Sequence, residues 1–300
     1  MSTEINLETN RQAAAVGYER RPITKAPNWH GLVTWDILFN NLSVGLFLVT
    51  AVGELVAPAT FRPLAMVAYP IALLFLIADL ICLVLDLGDP LRFHHMLRVW
   101  KPSSPMSLGT WALTAYSAPL TVLSALSLLP DGGAGVEWLR RIMLILGLVP
   151  ALGAAVYKGV LFSTTSQPAW SRARWMGAYV TNSALLLGTL ELLLLASVMG
   201  SPAAAAELRL GAMLLLVLNL VALVLLLANL RGPLSEVHGA RASVVMSAVV
   251  VLAGILVPLS LLAWGAPLGT LVAGLLILAG SFGVRSEIVR LPHLLNRQTR

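Results

Sequence analysis

Six ionisable side chains lie inside long apolar stretches of this chain, and they are the first candidates for chemistry. They are Asp36, Glu54, Asp79, Asp86, Lys158 and Glu191. Charged groups at membrane depth are costly, so such residues normally face a protein interior or a water-filled cavity. There they exchange protons, bind ions or hold a polar ligand. These three kinds of chemistry define the search for function.

The carboxylates of the first two segments fall on shared helical faces. Asp36 is followed four residues later by Asn40, on the same face of a helix. Glu54 returns to that face after about five turns, so the first segment carries a polar stripe. Asp79 and Asp86 are seven residues apart and share one side of the second segment. Carboxylates that converge on one leaflet are costly if they serve only packing, so the pattern favours a functional site.

Tyr157 and Lys158 lie near the end of the fourth apolar segment, at about the depth of Asp36 and Asn40. One interpretation makes Lys158 a partner for a carboxylate or for a ligand. The alternative is that its charged end reaches the lipid headgroups. The remaining polar residues of the segments are typical hydrogen-bonding contacts between membrane helices. They are Asn41, Asn182 and Asn219.

A charged, proline-bracketed loop, from Asp86 through Trp111, is set between the second and third strongly apolar segments. It contains Asp89, Arg92 and His95, which can close a site at the membrane surface or carry protons away from it. The alternative for His95 and its neighbour His94 is that both are simply solvated. The loop concentrates polar residues in an otherwise apolar chain.

Composition places these residues in a membrane protein, because 58% of the chain is hydrophobic, 11% is charged and the mean hydropathy is +0.84. A helix of about 20 apolar residues crosses a bilayer and satisfies its own backbone hydrogen bonds. The apolar segments cover residues 33–57, 63–86, 108–129, 138–164, 177–199, 209–230, 243–264 and 266–284. They are continuously apolar rather than alternating, which disfavours a β-barrel. The sequence therefore predicts an all-α, polytopic membrane protein with eight transmembrane helices.

Positive charge is concentrated on one side of the predicted membrane domain. That side carries Arg11, Arg20, Arg21, Lys25, Arg92, Arg98, Lys101, Arg172, Arg174, Arg231, Arg241, Arg285, Arg290, Arg297 and Arg300. The other side carries only Arg62, Arg140, Arg141 and Arg209. Loops rich in Lys and Arg stay cytoplasmic, so both termini are predicted in the cytoplasm and the domain in the inner (cytoplasmic) membrane. The net charge of +6 then reflects topology rather than nucleic-acid binding.

The two ends of the chain differ from the membrane domain, which we place at residues 29–284. Residues 1–28 have no apolar core and are predicted to be a cytoplasmic tail rather than a cleavable signal peptide. Residues 285–300 form a basic tail that includes apolar Ile288 and Val289. This tail suits the surface of an anionic leaflet or, equally, a docked partner subunit.

Several cofactors are excluded by the residues available. Cys82 is the only cysteine, so the chain cannot supply the thiolates of an iron-sulfur cluster or a structural zinc site. Haem is disfavoured because all five histidines are expected at helix ends or in loops. They are His30, His94, His95, His238 and His293. No nucleotide-binding glycine motif is present, and no metal site is predicted.

The chain resembles the NrfD family of polytopic membrane subunits, which includes the polysulfide reductase membrane subunit PsrC. The resemblance covers about residues 29–190. Its motifs are Trp35 through Gly45, Asp86-Leu87-Gly88-Asp89-Pro90-Leu91-Arg92-Phe93, Ser103-Ser104-Pro105-Met106-Ser107-Leu108-Gly109-Thr110-Trp111, and Tyr157-Lys158-Gly159-Val160-Leu161-Phe162-Ser163 followed by Pro168-Ala169-Trp170. In the second half, Leu230-Arg231-Gly232-Pro233-Leu234 occupies a place after helix six equivalent to that of 87–91 after helix two.

The resemblance implies two four-helix bundles, at about residues 33–164 and 177–284. It also implies a respiratory-chain role in which the subunit passes electrons between membrane quinone, either menaquinone or ubiquinone, and a docked four-cluster ferredoxin-like iron-sulfur subunit. That subunit in turn serves a molybdenum or tungsten catalytic subunit, whose substrate is not encoded in this chain. The chain would not act alone on the soluble substrate.

In the family, polar residues entering helix one and a tyrosine on helix four contact the quinone head. These positions fall at Asp36, Asn40 and Tyr157, where relatives can have asparagine and histidine in place of the first two. Quinol oxidation releases two protons, so the site needs hydrogen-bond partners for both ring oxygens and a proton acceptor. We assign the acceptor role to Asp36 and quinone contacts to Asn40, Tyr157 and Lys158. We also assign the loop residues Asp89, Arg92 and His95 to the quinone site, as candidates.

Two alternatives and one extension remain open from the sequence. Four carboxylates are candidates for a proton path across the membrane: Glu54, Asp79, Asp86 and Glu191. The main alternative function is a secondary transporter of an ion or small solute, marked by broken helices. Gly147, Pro150 and Gly153 are expected to interrupt helix four, and Pro258 helix seven. The other alternative is a passive anchor with a degenerate quinone site.

Overall fold

The computed structural model describes residues 29–129 and 133–298, and no strand occurs within these ranges. The predicted tail at residues 1–28 lies outside the described residues. The helices are α1 (Gly31–Val56), α2 (Pro58–Leu85), α3 (Pro105–Ser127), α4 (Gly133–Ser163), α5 (Pro168–Ser171), α6 (Met176–Val198), α7 (Pro202–His238), α8 (Ala240–Val251), α9 (Val257–Trp264) and α10 (Pro267–Gln298). A 3₁₀ turn covers Pro90–Leu97, and a π-helical segment, Leu252–Leu256, joins α8 to α9. The predicted all-α class is confirmed.

Among the described residues, seven helical stretches are long and apolar enough to cross a membrane, counting α8, the π segment and α9 as one. The short α5 lies outside this group, and so does α3, at the predicted third segment. Its sequence is rich in hydroxyl side chains, most of which donate to carbonyls of the same helix; examples are Thr114 to Thr110 at 2.8 Å and Ser124 to Leu120 at 2.8 Å. The hydroxyls lower its hydropathy, while these bonds satisfy them within the helix.

Helix α1 lies at the centre of the molecule and packs against α2, α4, α6 and α10. Its contact with α6 depends on two glycines. A Cβ added to Gly45 would lie 1.9 Å from the Ala184 carbonyl oxygen, and one added to Gly188 would lie 2.0 Å from the Gly45 carbonyl carbon. Small residues let membrane helices approach closely without a hydrophobic driving force. The two backbones are therefore in direct contact where the first four helices meet the later ones.

Replacing Gly188 by Ala is expected to destabilise the protein, because the added methyl group must push α1 and α6 apart. Overpacking of this kind costs about 1–3 kcal/mol, or a fall of roughly 3–10 °C in the thermal midpoint. The midpoint would be measured on the purified protein in detergent. Gly211→Ala in α7 is the control, since its Cβ would meet only Thr189 Cγ2, at 3.8 Å. Equal midpoints for the two variants would contradict the close-contact interpretation.

The later helices are longer than the sequence predicts. Helix α7 continues through Pro233 to His238, so the run 230–234 lies inside a helix, whereas 87–91 forms a turn that enters the 3₁₀ segment. The expected equivalence of these two runs is therefore wrong in structure. Pro233 is tolerated because the other bonds of the helix continue around it.

Helix α10 continues through the boundary expected at residue 284 and runs to Gln298. Ile288 and Val289, expected on a surface tail, are buried in the core. The Trp170 indole donates to the Ile288 carbonyl at 2.8 Å, and His293 donates to the Trp29 carbonyl at 2.7 Å. The end of α10 is thus fixed to the start of α1 and to α5.

Of the two helix interruptions expected from the sequence, one is absent in the structure and the other is present as a π-helical segment. Helix α4 is continuous through Gly147, Pro150 and Gly153, so the interruption predicted there is wrong. The stretch before Pro258 does change, because the π segment widens the helix just ahead of this proline. Proline cannot donate a backbone hydrogen bond, and a π turn is one way to accommodate the missing bond.

Candidate functional site

A buried charged cluster joins α1, α2 and α4 near the start of α1. The Lys158 ammonium lies 2.8 Å from Asp36 Oδ1 and donates to the Asp36 carbonyl at 3.0 Å. It also pairs with Asp79 Oδ1, and Asn40 Nδ2 donates to Asp79 Oδ2 at 3.3 Å. All four residues are at most 6% exposed. Lys158 is therefore a buried partner of two carboxylates, and the interpretation that it reaches the headgroups is wrong.

The cluster contains two carboxylates and one ammonium. Like charges so close cannot both be balanced by one lysine, so one negative charge is in excess when Asp36 and Asp79 are both ionised. Asp79 is held by Lys158 and Asn40 together and is completely buried. Asp36 lies within the first two turns of α1, closer to the membrane surface. The cluster can accept one proton, with Asp36 as the carboxylate nearest the outside.

The buried Asn40 Oδ1 has no hydrogen-bond donor among the described residues. Asp36 Oδ1 has the Lys158 ammonium as its neighbour, at 2.8 Å. Asn40 uses its amide nitrogen on Asp79, which leaves its oxygen as an acceptor. Buried acceptors normally find a donor in the protein, in water or in a ligand. The four-residue spacing of Asp36 and Asn40 on one face of α1 suits a ligand with two donor groups.

Tyr157 is positioned beside this cluster by α3. A Cβ on Gly109 would lie 1.9 Å from Tyr157 Cδ2, so only glycine leaves room for the ring. The Lys158 ammonium lies 5.7 Å from the centre of the same ring. The start of α3 is fixed by Ser104, which accepts from the Ser107 amide at 3.4 Å. The serine- and glycine-rich motif at 103–111 therefore serves to place Tyr157.

An aromatic row covers the membrane-facing side of α1 next to the cluster. Trp35 packs on Phe39 with ring centres 5.7 Å apart and on Phe282 at 4.7 Å, and Phe39 stacks near Phe75 at 6.3 Å. Trp35 is 45% exposed. Flat rings stack favourably on such surfaces. Sequence reasoning included Trp35 only as part of a motif, because the row draws on three separate helices.

The charged loop lies at the same end of the molecule but makes its own contacts. Arg92 pairs with Asp89 at 3.1 Å across one turn, and both are exposed. His95 Nδ1 lies 3.3 Å from Arg98 Nη1, also at the surface. Within the described residues, no hydrogen bond or ion pair joins these loop residues to Lys158. Burial raises the pKa of the Asp86 carboxyl above its ordinary value, against the opposing effect of His30.

A second buried charge network lies at the opposite end of α1, around Glu54. Arg140 donates from Nη2 to Glu54 Oε2 at 3.0 Å, and the Tyr69 hydroxyl donates to the same oxygen at 2.8 Å. Arg62 lies 3.3 Å from Glu54 and donates to Glu137 at 2.9 Å. The sequence placed Arg140 among loop charges, whereas it is buried. Arg140 lies near the start of α4, and nothing in the sequence around it indicates that its partner is Glu54.

The other predicted polar residues lie apart from both networks. Glu191 Oε2 is buried without a donor among the described residues. Asn41 donates to the Val180 carbonyl at 2.9 Å and Asn182 to Asn219 at 3.2 Å, as expected for contacts between helices. Arg285, predicted in the tail, is fully buried and donates to the Ser281 carbonyl at 2.8 Å.

The sequence of this helical, charge-containing chain matches a known protein family. The family model described as polysulfide reductase, of the NrfD type, matches residues 22–293. The chain belongs to the NrfD family. It is thus a multi-pass membrane subunit of the oxidoreductase type to which PsrC belongs, and it has a membrane-anchor role in redox complexes. NrfD subunits pair with iron-sulfur and molybdoenzyme subunits. A comparison with curated proteins finds no significant match.

Proposed function

We propose that this NrfD subunit exchanges electrons and protons between membrane quinone and a docked iron-sulfur subunit, with the Asp36, Asn40, Asp79, Tyr157 and Lys158 cluster as the quinone site. The observation that carries the proposal is the excess carboxylate of the cluster together with two acceptors, Asn40 Oδ1, which has no donor among the described residues, and Asp36 Oδ1, which Lys158 contacts. A quinol has two hydroxyl donors and releases protons on oxidation, so it matches both features. The acceptors therefore favour the reduced form as the ligand.

Each residue has a distinct part in this proposal. Asn40 Oδ1 and Asp36 Oδ1 accept from the two hydroxyls, and Asp36 takes the first proton because it carries the excess charge. Lys158 keeps the remaining carboxylate ionised throughout, since Asp79 stays paired when Asp36 is protonated. The ring of Tyr157 and the aromatic row at Trp35 and Phe39 give flat surfaces for an entering ring. Bound quinol supplies two electrons, which pass to the docked iron-sulfur subunit, and two protons. Asp36 takes the two protons in turn and releases each one towards the loop of Asp89, Arg92 and His95 before the next is accepted.

The surrounding assembly is part of the same proposal. The partners are a four-cluster ferredoxin-like iron-sulfur subunit and a molybdenum or tungsten catalytic subunit, docked on the side of the basic loops. That side is cytoplasmic in the inner membrane if positive charge sets the orientation. The eight helices are grouped in two four-helix bundles, with α3 as the eighth span. Asp89, Arg92 and His95 line the way from the site to the docked subunit.

Proton movement across the membrane is the remaining part of the proposal. Its candidates are Glu54, Asp79, Asp86 and Glu191, which lie in separate environments along the membrane normal. Ser43 Oγ on α1 lies between Asn40 and Glu54 along that helix and is 2.9 Å from the Tyr116 hydroxyl on α3. Hydroxyl pairs of this kind pass protons between carboxylates when water joins them.

Asp36→Asn in the assembled complex is expected to lower quinone-linked turnover at least 100-fold, the contribution typical of a proton acceptor. Lys158 and Asp79 then form a balanced pair, so the thermal midpoint of the complex should not fall. Electron transfer from the catalytic substrate to an artificial soluble acceptor should also be unchanged. The measurement is quinol turnover beside this soluble assay. Unchanged quinol turnover would remove Asp36 as the acceptor.

Purification of the tagged chain from its native membranes tests the wider assignment. Iron, molybdenum or tungsten, and quinone are measured in the preparation, and co-purifying subunits are identified. Redox partners with bound quinone support the proposal. A partner-free chain that performs solute counterflow in vesicles would favour the transporter alternative, and partners without quinone would favour the passive anchor.

A further inference from the structure

A lipid-facing groove lies between α7, α8 and α10, away from the charged cluster of the first helices. It encloses about 320 Å³ and is lined by Leu230, Leu234, Val249, Gly283 and Ile288 among other apolar residues. This volume is at the lower end of the range for ligand pockets, about 300–1,000 Å³. The lining residues of α7 and α10 each span about 12 Å along the helix, from the basic side towards the membrane centre.

Helix α8 leaves this groove open because it packs loosely on its neighbours. In the most apolar part of Ala240–Trp264 only 11% of the residues are buried, whereas the corresponding share in α1 is 78%. Val245 and Val249, which line the groove, are also among the exposed apolar side chains. A ligand with an apolar chain can therefore enter sideways from the bilayer.

The basic end of the groove carries three exposed arginines. Arg231 follows the lining residue Leu230, Arg290 precedes the lining residue Leu291, and Arg241 lies two residues before the lining residue Ser243. None of the ion pairs within residues 29–129 and 133–298 includes these arginines. All three side chains are exposed near this end of the groove, with no carboxylate partner among these residues.

Two carboxylates lie near the same end and offset part of the positive charge of the arginines. Glu287 lines the groove and is tied to His238 Nε2 at 2.6 Å, while Glu236 is exposed on the last turn of α7. The three arginines outnumber the two carboxylates at this end, which leaves it with net positive charge. A positive mouth above an apolar groove is complementary to a phosphate with acyl chains.

We propose that this groove binds one anionic phospholipid, with an acyl chain between α7, α8 and α10 and its phosphate held by Arg231, Arg241 and Arg290. The lipid fills the space that α8 leaves open and fixes α8 against α7 and α10. The site is independent of the quinone proposal, because it shares no residue with the Lys158 cluster.

Native mass spectrometry of the delipidated full chain tests the headgroup. Phosphatidylglycerol and phosphatidylcholine with identical acyl chains are titrated in parallel. We expect one phosphatidylglycerol to bind at a concentration at least fivefold below that needed for phosphatidylcholine. Arg231→Gln/Arg241→Gln should weaken phosphatidylglycerol binding about tenfold, since each arginine near a lipid surface contributes to anion attraction. The control Arg98→Gln/Lys101→Gln removes two charges from the first loop and should leave binding unchanged. Equal binding of the two lipids would overturn the proposal.

Gly283→Leu tests the acyl-chain site without threatening the fold. A Cβ at Gly283 meets no atom within 4 Å, so a leucine side chain extends into the groove. Leucine also favours a helix over glycine, so the thermal midpoint without lipid should be unchanged or raised. Binding should fall at least tenfold, and added phosphatidylglycerol should no longer raise the midpoint. Unaltered binding by this variant would overturn the proposal, as would displacement of the phospholipid by an equimolar short-chain quinone.

Discussion

Replacing Lys158 by Met is expected to abolish quinone-linked turnover and to lower the thermal midpoint of the complex by roughly 5–15 °C. The ammonium pairs with both Asp36 and Asp79, and all three residues are buried. Removing one partner of a buried ion pair costs about 3–5 kcal/mol, because the charge left behind has no compensation. Here two carboxylates are left behind. Lys101→Met, at an exposed loop position, is the matched control and should change neither quantity.

A neutral version of the cluster separates stability from function. Lys158→Met with Asp36→Asn and Asp79→Asn removes every charge of the cluster, and buried ion pairs can be replaced by neutral residues at little cost. The thermal midpoint should therefore return to within a few degrees of the unmodified protein. Turnover with quinol should stay absent, since no proton acceptor remains. Recovery of turnover in this triple variant would contradict the proposed chemistry, and a Lys158→Met variant as stable as the parent would contradict the buried pairing.

Glu54→Gln is expected to lower the thermal midpoint by a similar amount, from the other end of α1. Among the described residues, the only ion pair of buried Arg140 is with Glu54. The substitution leaves a guanidinium inside the helix bundle without a counter-charge, at a cost of about 3–5 kcal/mol. Arg62 keeps its contact with Glu137, so it does not add to the loss. The midpoint would be measured in detergent on the complex.

The double variant Glu54→Gln/Arg140→Met should recover most of that loss, because both charges are gone. Arg141→Gln provides the control at the next position, where the side chain is exposed, and should leave the midpoint unchanged. Additive losses in the double variant would show that the two side chains do not act as a pair.

The same double variant also tests proton movement. If the variant is stable but the transmembrane proton signal is lost, Glu54 is implicated in the path.

Much of the architecture could be predicted because apolar segment length is a local property of the chain. All eight predicted segments are helical, and Lys158 lies at the depth of Asp36 as expected from its place in α4. Boundaries were less predictable. The basic residues after 230 and 284 suggested helix ends, but both helices continue. The end of α7 pairs with α10 through His238 and Glu287, and α10 packs on α5 and α1. A helix can continue through a charged turn when that turn packs against other helices.

The sequence by itself determined that this is a helical membrane protein, which residues are ionisable within it, and the motifs of its family. Only the tertiary structure decided how those residues pair. Asp36, Asp79 and Lys158 come from three helices, and their contact depends on how α1, α2 and α4 are rotated about their axes. Rotation is set by packing between helices, as at Gly45 and Gly188, rather than by hydropathy. For the same reason Asp79 pairs with Lys158 and Glu54 pairs with Arg140. Neither ion pair could be predicted from the spacing of these residues along the chain.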